Sequence, residues 1–284
     1  MNSISLKARG DIVKMKSILW RREFALGGIL GIFILLTVGN LILAQTEQQS
    51  EIKKAIIYQD MYPLVSESDL YCSFLIWEET LPQLKIIGAE REYERVLFNN
   101  DDIVYLNQGK KEGLQPGQLF LILEFEREIG NYGYLVHKRG RARVIHLSDH
   151  GATARIEKAC GQITLGNYLV PFEEKEGFAG QDLGFNIPPY KTEGPKGEII
   201  YLTIDFNQIG RGHWALINLG KSEGVKVGDQ LIVYREPVKD APLQVIGNVL
   251  VIDAQEHTST VKVLSCRDAL RIGDLIQFRP QPGN

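Results

Sequence analysis

The sequence lacks the signatures that usually betray an enzyme or a metalloprotein. Its three cysteines, Cys72, Cys160 and Cys266, form no C-x-x-C pair, which argues against a structural zinc site or a thioredoxin-like motif. There is no G-x-x-x-x-G-K-[ST] run. The glycine-rich stretches that do occur lead into strand patterning rather than a helix, so they do not read as phosphate cradles. His146 and His150 share H-x-x-x-H spacing, but that spacing aligns ligands on a helix, and here it spans a turn. Ser148, Asp149 and His150 are sequence neighbours, whereas a nucleophile, its base and the orienting acid meet through space. Positive charge is also scarce where nucleic acid would need it. Residues 1–44 hold six Lys or Arg and two acids, and the rest of the chain holds 26 bases against 33 acids. An acidic body is a poor match for phosphates. No cofactor, metal or nucleic-acid partner is expected, and the chain reads as a non-enzyme.

What is present begins with a basic front. Lys7, Arg9, Lys14, Lys16, Arg21 and Arg22 precede an uncharged run at 24–44, FALGGILGIFILLTVGNLILA. Twenty-one uncharged, predominantly apolar residues are enough for a helix to cross a bilayer core. The positive flank keeps its N-terminal end in the cytoplasm and places the body outside. Ala44 followed by Gln45 is also a tolerable signal-peptidase site, so the run reads as either a cleaved signal or a retained anchor in the inner membrane. Residues 1–23 form the basic region. Residues 45–70 are mostly polar and read as a tether, with a short helix around 51–59.

From residue 71 the pattern changes to short runs rich in Ile, Val, Leu, Phe and Tyr, separated by Gly, Asn, Asp and Pro, which is the signature of many short strands. One stretch occurs twice. VYLNQGKKEGLQPGQLFLIL at 104–123 aligns without a gap on ALINLGKSEGVKVGDQLIVYR at 215–235. Asn107, Gly109, Gly113 and Gly117 match Asn218, Gly220, Gly224 and Gly228, with Asp229 answering Gln118. A repeat of this length is one supersecondary unit used twice. Its shared residues are turn-makers: glycines that tolerate positive φ, and amide or carboxylate side chains that bond their own turn backbone. The expected fold is therefore mainly β, with two repeated small β-barrel-like domains at 71–173 and 199–280. A Pro/Gly linker at 174–198 joins them, the hydrophobic helix and tether come before them, and a short tail at 281–284 follows.

The unequal parts are where recognition is expected. The first copy has a long polar hairpin at 127–141 that the second lacks, with Tyr132 and Tyr134 as candidate exposed aromatics. His213 and Trp214 lead into the second copy and are a further candidate partner surface, but Trp214 reads chiefly as core or interdomain packing, with His213 exposed. Cys160 and Cys266 fall at matching places in the two copies, so the cysteines read chiefly as buried small apolar residues, with a disulfide as the alternative.

The order N-x-G-x-x-x-G-(V/L)-x-x-G-(D/Q), strand, hairpin, strand, (I/L)-G-(D/N), strand resembles the C-terminal domain of the flagellar-assembly protein T. It is also similar to β modules that accompany LysM peptidoglycan-binding domains in envelope proteins, and more distantly to the β domains of the rod-shape-determining protein C. The resemblance covers 104–172 and 215–278. It implies small β-barrels, export to the bacterial periplasm, and a scaffold or assembly role towards other envelope proteins, with peptidoglycan as a second kind of partner. The chain has no LysM module and no long coiled coil after the hydrophobic run, and none of these families lends it a catalytic residue.

Overall fold

The computed structural model describes residues 62–91, 93, 96–186, 195–238 and 242–279. The run at 24–44, the helix expected at 51–59 and the tail lie outside the described residues. Among the described residues no helix is long and apolar enough to cross a membrane.

The described chain is mainly β. It opens with β1 (Tyr62–Pro63), a one-turn helix α1 (Glu67–Tyr71), β2 (Phe74–Trp77), β3 (Ile86–Ala89), β4 (Ile103–Leu106), β5 (Leu119–Ile129), β6 (Gly133–Leu147), β7 (Ala152–Ala159) and β8 (Tyr168–Pro171). It continues with β9 (Ala179–Gly180), β10 (Lys196–Leu202), β11 (Trp214–Ile217), β12 (Gln230–Arg235), β13 (Gln244–Ala254), β14 (Ser259–Cys266) and β15 (Leu275–Phe278).

The last six strands close into a barrel in the order β10-β11-β14-β13-β12-β15. The earlier strands form a seven-stranded sheet in the order β3-β4-β7-β6-β5-β8, with β2 added beside β6. The two orders correspond strand for strand. The barrel closes through three β10–β15 register pairs, Lys196↔Gln277 to Glu198↔Leu275. The first sheet curls until its ends touch without a full ladder. A single bridge joins Lys85 to Tyr168, and Ile86 exchanges backbone bonds with Gly166 and Asn167.

Alternation builds each core. Phe120 and Ile122 of β5 point inward with Val104, Leu106, Val144, Ala154 and Ile156, as period-two patterning requires. In the barrel, Val249, Val251, Val261, Val263 and Ile276 do the same. β13 is buried almost throughout, which means both of its faces are covered. Its outward Leu250 and Ile252, with Leu264 of β14, are capped by Leu64, Val65, Leu70 and Tyr71.

That cap corrects the expectation of a tether reaching residue 70. From Tyr62 onward the chain is a strap packed on the barrel. Ser66 caps α1, accepting from the Asp69 amide while the Asp69 carboxylate takes the Ser66 amide at 2.7 Å. The expected linker is partly structured too. β9 pairs with β1, and Leu64 and Val65 both donate to the Phe178 carbonyl. Further on, the Asp182 carboxylate accepts from Asn248 Nδ2, and the Gly184 carbonyl accepts from Arg279.

Candidate functional site: the seam between sheet and barrel

The hairpin of β5 and β6 grows 11 and 15 residues long, and its upper half, with β2, projects beyond the first sheet. One face of this projection packs on the barrel. Phe74 and Ile76 of β2 and Leu135 of β6 meet Tyr201 and Leu216, with Ile129, Tyr132 and Trp214 around them. Phe74 lies 5.1 Å from the Tyr201 ring and 6.3 Å from that of Trp214, both edge-on. Full burial of side chains such as Phe74 and Ile76 is worth about 1.5–3 kcal/mol each relative to exposure.

Polar pairs lock the same seam. Lys138 and Asp253 are 4% and 5% exposed, and their charged groups meet at 2.8 Å. The Lys138 ammonium also donates to the Leu70 carbonyl at 2.9 Å and to Ser73 Oγ at 3.4 Å, so all three of its protons are used. Burial pulls the Lys138 pKa below that of an ordinary lysine, against the attraction of Asp253. Burial works to raise the Asp253 pKa, but the Lys138 and Lys175 ammoniums outweigh it and hold the carboxyl low. The asymmetry has a geometric cause: Asp253 faces two cations, whereas Lys138 faces one anion. A lysine with every proton donated ties sheet to barrel rather than offering a free base.

Asp69 is the second lock. It receives Lys262 Nζ at 2.7 Å and Trp214 Nε1 at 2.9 Å, both from the barrel. Burial pushes the Asp69 pKa up, but the donors Lys262, Ser66 and Trp214 prevail and keep it below the usual carboxylate range. At the hairpin's far end Arg127 reaches Asp205, with one of its two bonds at 3.1 Å. Asp205 and its neighbour Ile204 both hold left-handed backbone, φ 52° and 54°. That is an outlying conformation for a β-branched residue.

The other face of the projection is not covered by the barrel. Trp77, Phe125, Tyr134 and Tyr168 form an aromatic row on it. The Phe125 ring lies 5.8, 6.2 and 5.1 Å from those of Trp77, Tyr134 and Tyr168. Beside the row, Leu75, Trp77, Leu121, Leu123, Val170 and Phe172 line a cleft of about 400 Å³, with Lys138, Lys175, Asp253 and Gln255 also on its wall.

The candidates named from sequence separate into three groups. The turn residues sit in corresponding corners. Asn107 Oδ1 accepts from the Lys85 amide at 2.8 Å, and Asn218 Oδ1 from the Glu198 amide at 2.6 Å. The Gly109 amide donates to Glu112 and the Gly220 amide to Glu223, both at 2.7 Å. A Cβ on Gly109 would lie 2.5 Å from the Ser148 carbonyl, and one on Gly220 2.4 Å from that of Glu256. Gly113, Gly117, Gly224 and Gly228 all have positive φ. Gln118 and Asp229 cap the next turn through the Gln115 and Lys226 amides.

The second group is occupied within the molecule. Trp214 packs in the seam on Asp69 and Phe74, and the Tyr132 hydroxyl accepts from Asn218 Nδ2 at 3.3 Å, so neither is a free partner surface. Only Tyr134 and His213 of that set face solvent. In the third group, Ser148 bonds the Gly151 carbonyl, while His150 lies between Glu112 and Lys111. No nucleophile–base contact forms there. Among the described residues no cluster of His, Cys, Asp and Glu is arranged to hold a metal.

Cys72 and Cys160 form a disulfide across 88 residues, and Cys266 is free. This corrects the expectation of buried apolar cysteines in matching places: Cys160 is paired, and the position answering it in the barrel is Arg267, whose amide donates to the Ile246 carbonyl as that of Cys160 does to Arg139, while Cys266 answers Ala159. Cys72 precedes the aligned copies, so no comparison between the copies could reveal its pairing. The seam residues Lys138, Asp253, Asp69 and Lys262 were also missed. In sequence they look like surface charges. No local signal marks them, since Lys138 itself stands between His137 and Arg139 in a polar run. The chain matches no protein-family model and no curated protein.

Proposed function

We propose that the protein is an exported, non-enzymatic scaffold of the bacterial cell envelope. On this reading an N-terminal hydrophobic helix at 24–44, cleaved or retained in the inner membrane, delivers two copies of one small β module. The modules act as a single rigid body that is presented to other envelope proteins. The observation that carries the reading is the Cys72–Cys160 bond in a chain whose basic front precedes a bilayer-length apolar run. Structural disulfides persist in oxidising compartments and are rare in the cytoplasm. The corresponding strand orders and turn corners support a duplicated module, and the seam supports a scaffold whose parts do not move independently.

Two measurements test this. A C-terminal fusion to a phosphatase that folds only outside the cytoplasm is expected to be active. Activity confined to a reporter that works only in the cytoplasm overturns export. Crosslinking mass spectrometry on intact envelopes is expected to recover a recurrent protein neighbour, and recovery of none overturns the scaffold role. A second reading, binding to peptidoglycan or another polysaccharide, is favoured by the row of Trp77, Phe125, Tyr134 and Tyr168, because aromatic faces suit stacking on sugar rings. Retention on purified peptidoglycan that falls in Trp77→Ala/Tyr134→Ala would support it, and no retention would remove it.

A further inference from the structure

The disulfide lies at an unusual place in the sheet. β7 runs antiparallel to β6 as far as Ala159↔Gly140, and the Cys160 amide donates to the Arg139 carbonyl. The next backbone partner along β6 comes from another part of the chain, where the Lys138 amide donates to the Ser73 carbonyl at 3.0 Å. From there β2 carries on, Phe74↔His137 to Trp77↔Tyr134, in the same direction as β7. β5 occupies the opposite edge of β6 over this whole stretch. β7 and β2 therefore lie end to end along one edge of β6, and the Cys72–Cys160 bond splices them at the junction.

We infer that this bond is a redox-gated splice, and that its reduction releases β2 from β6 and opens the seam while leaving the barrel folded. β2 is short, with four register pairs to β6. Among the described residues its other edge carries no ladder, only the bond from Thr260 Oγ1 to the Phe74 carbonyl at 2.7 Å. The strap before it is bound largely to the barrel through Asp69, Leu64 and Leu70. Without the splice, β2 is held to the first sheet by those four pairs and by the packing of Leu75 and Trp77 beside Leu123, Val136 and Phe125, and short edge elements are where local opening is drawn from. Both cysteines are half-buried, within reach of a small reductant.

The chemistry needs a dithiol reductant. One of its thiolates attacks one sulfur of the pair, so the Cys72–Cys160 bond breaks, a mixed disulfide forms, and the other cysteine leaves as a thiolate that takes up a proton. The second thiol of the reductant then closes its own disulfide and releases the remaining cysteine. Two electrons pass to the protein, and the reductant leaves oxidised.

The test is hydrogen exchange read by mass spectrometry on the full chain, with and without dithiothreitol, alongside alkylation to count thiols. Oxidised protein is expected to take up one alkyl group, at Cys266, and reduced protein three. On reduction, peptides covering 73–77 and 133–138 are expected to exchange at least tenfold faster, and peptides covering 246–252 of the barrel to stay unchanged. Re-oxidation restores the slow rates. Cys72→Ser/Cys160→Ser, where it folds, is expected to match the reduced protein without any reductant. Three alkylated thiols without reductant, no change of exchange on full reduction, or equal acceleration in the barrel would each overturn the inference. The wild-type reduction keeps the test decisive if the double variant does not fold.

Discussion

The first sheet and the barrel are built on one strand order and differ in how much chain they give to two strands. β12 and β13 are 6 and 11 residues long, while the corresponding β5 and β6 are 11 and 15. The barrel uses its strands to close on itself. The first sheet leaves its ends barely joined and uses the added length to reach across to its neighbour. The lesson is that the conserved geometry lies in the corners, whereas the individuality lies in an overgrown hairpin, an added strand and a disulfide with no counterpart in the barrel.

Changes at the seam test the comparison most severely. Lys138→Met should destabilise the protein by about 3–5 kcal/mol in denaturant unfolding, because it strands Asp253 as a buried, under-compensated charge. Lys138→Met/Asp253→Leu should recover most of that loss. A double variant as unstable as the single one would mean that the site matters for shape rather than charge.

Next come the corners. Gly109→Ala and Gly220→Ala should each cost about 1–3 kcal/mol, since the new methyl meets a fixed carbonyl in both places. Gly113→Ala and Gly224→Ala face open space but keep positive φ, and should cost about 1–2 kcal/mol. Equal losses within each pair would sharpen the equivalence of sheet and barrel, and a neutral Gly109→Ala beside a costly Gly220→Ala would break it.

A smaller loss is expected in acid. The Asp69 pKa is depressed in the folded state, so its contribution is complete above the unfolded carboxylate value of about 4 and drains away as pH falls through the lower folded value. The unfolding midpoint should hold from neutral pH to about pH 5 and decline below about pH 4, less steeply in Asp69→Asn. The loss is limited because a neutral carboxyl can still accept from Trp214. The smallest effect is expected for Arg127→Ala. Its pair with Asp205 is solvent-exposed, so stability should change by less than about 1 kcal/mol, with faster hydrogen exchange confined to the hairpin tip.

The corners were legible in sequence because turn chemistry is local. The Gly109 amide meets Glu112 and the Gln115 amide meets Gln118, each three residues on, although Asn107 reaches the Lys85 amide 22 residues away. The overall β character was legible for the same reason, since alternation is read over a few residues at a time. The seam was not. Lys138 lies 115 residues from Asp253, Trp214 145 from Asp69, and Lys262 193 from Asp69. Nothing in the polar run 127–141 marks Lys138 as the one cation that will lose its water. Tyr132 was picked out as an exposed aromatic, but aromatic side chains serve an internal seam as well as an external one, and Trp214, read chiefly as packing, does pack in that seam. Trp77, Phe125 and Tyr168, the half-buried members of the aromatic row, are spread over three strands and only become neighbours once β2 and β8 take their places.

The strap has a mechanical consequence. Tension transmitted along the backbone from residues before Tyr62 enters at β1 and meets Asp69, anchored by Lys262 and Trp214 of the barrel. At Cys72 the load divides, one path passing through the sulfur bridge to the end of β7 and the other into β2. Both halves of the body are therefore loaded in parallel through residues 62–72, although only one follows directly in the chain. A pull at this end drags the pair as one mass instead of unravelling the nearer sheet before the farther one feels it.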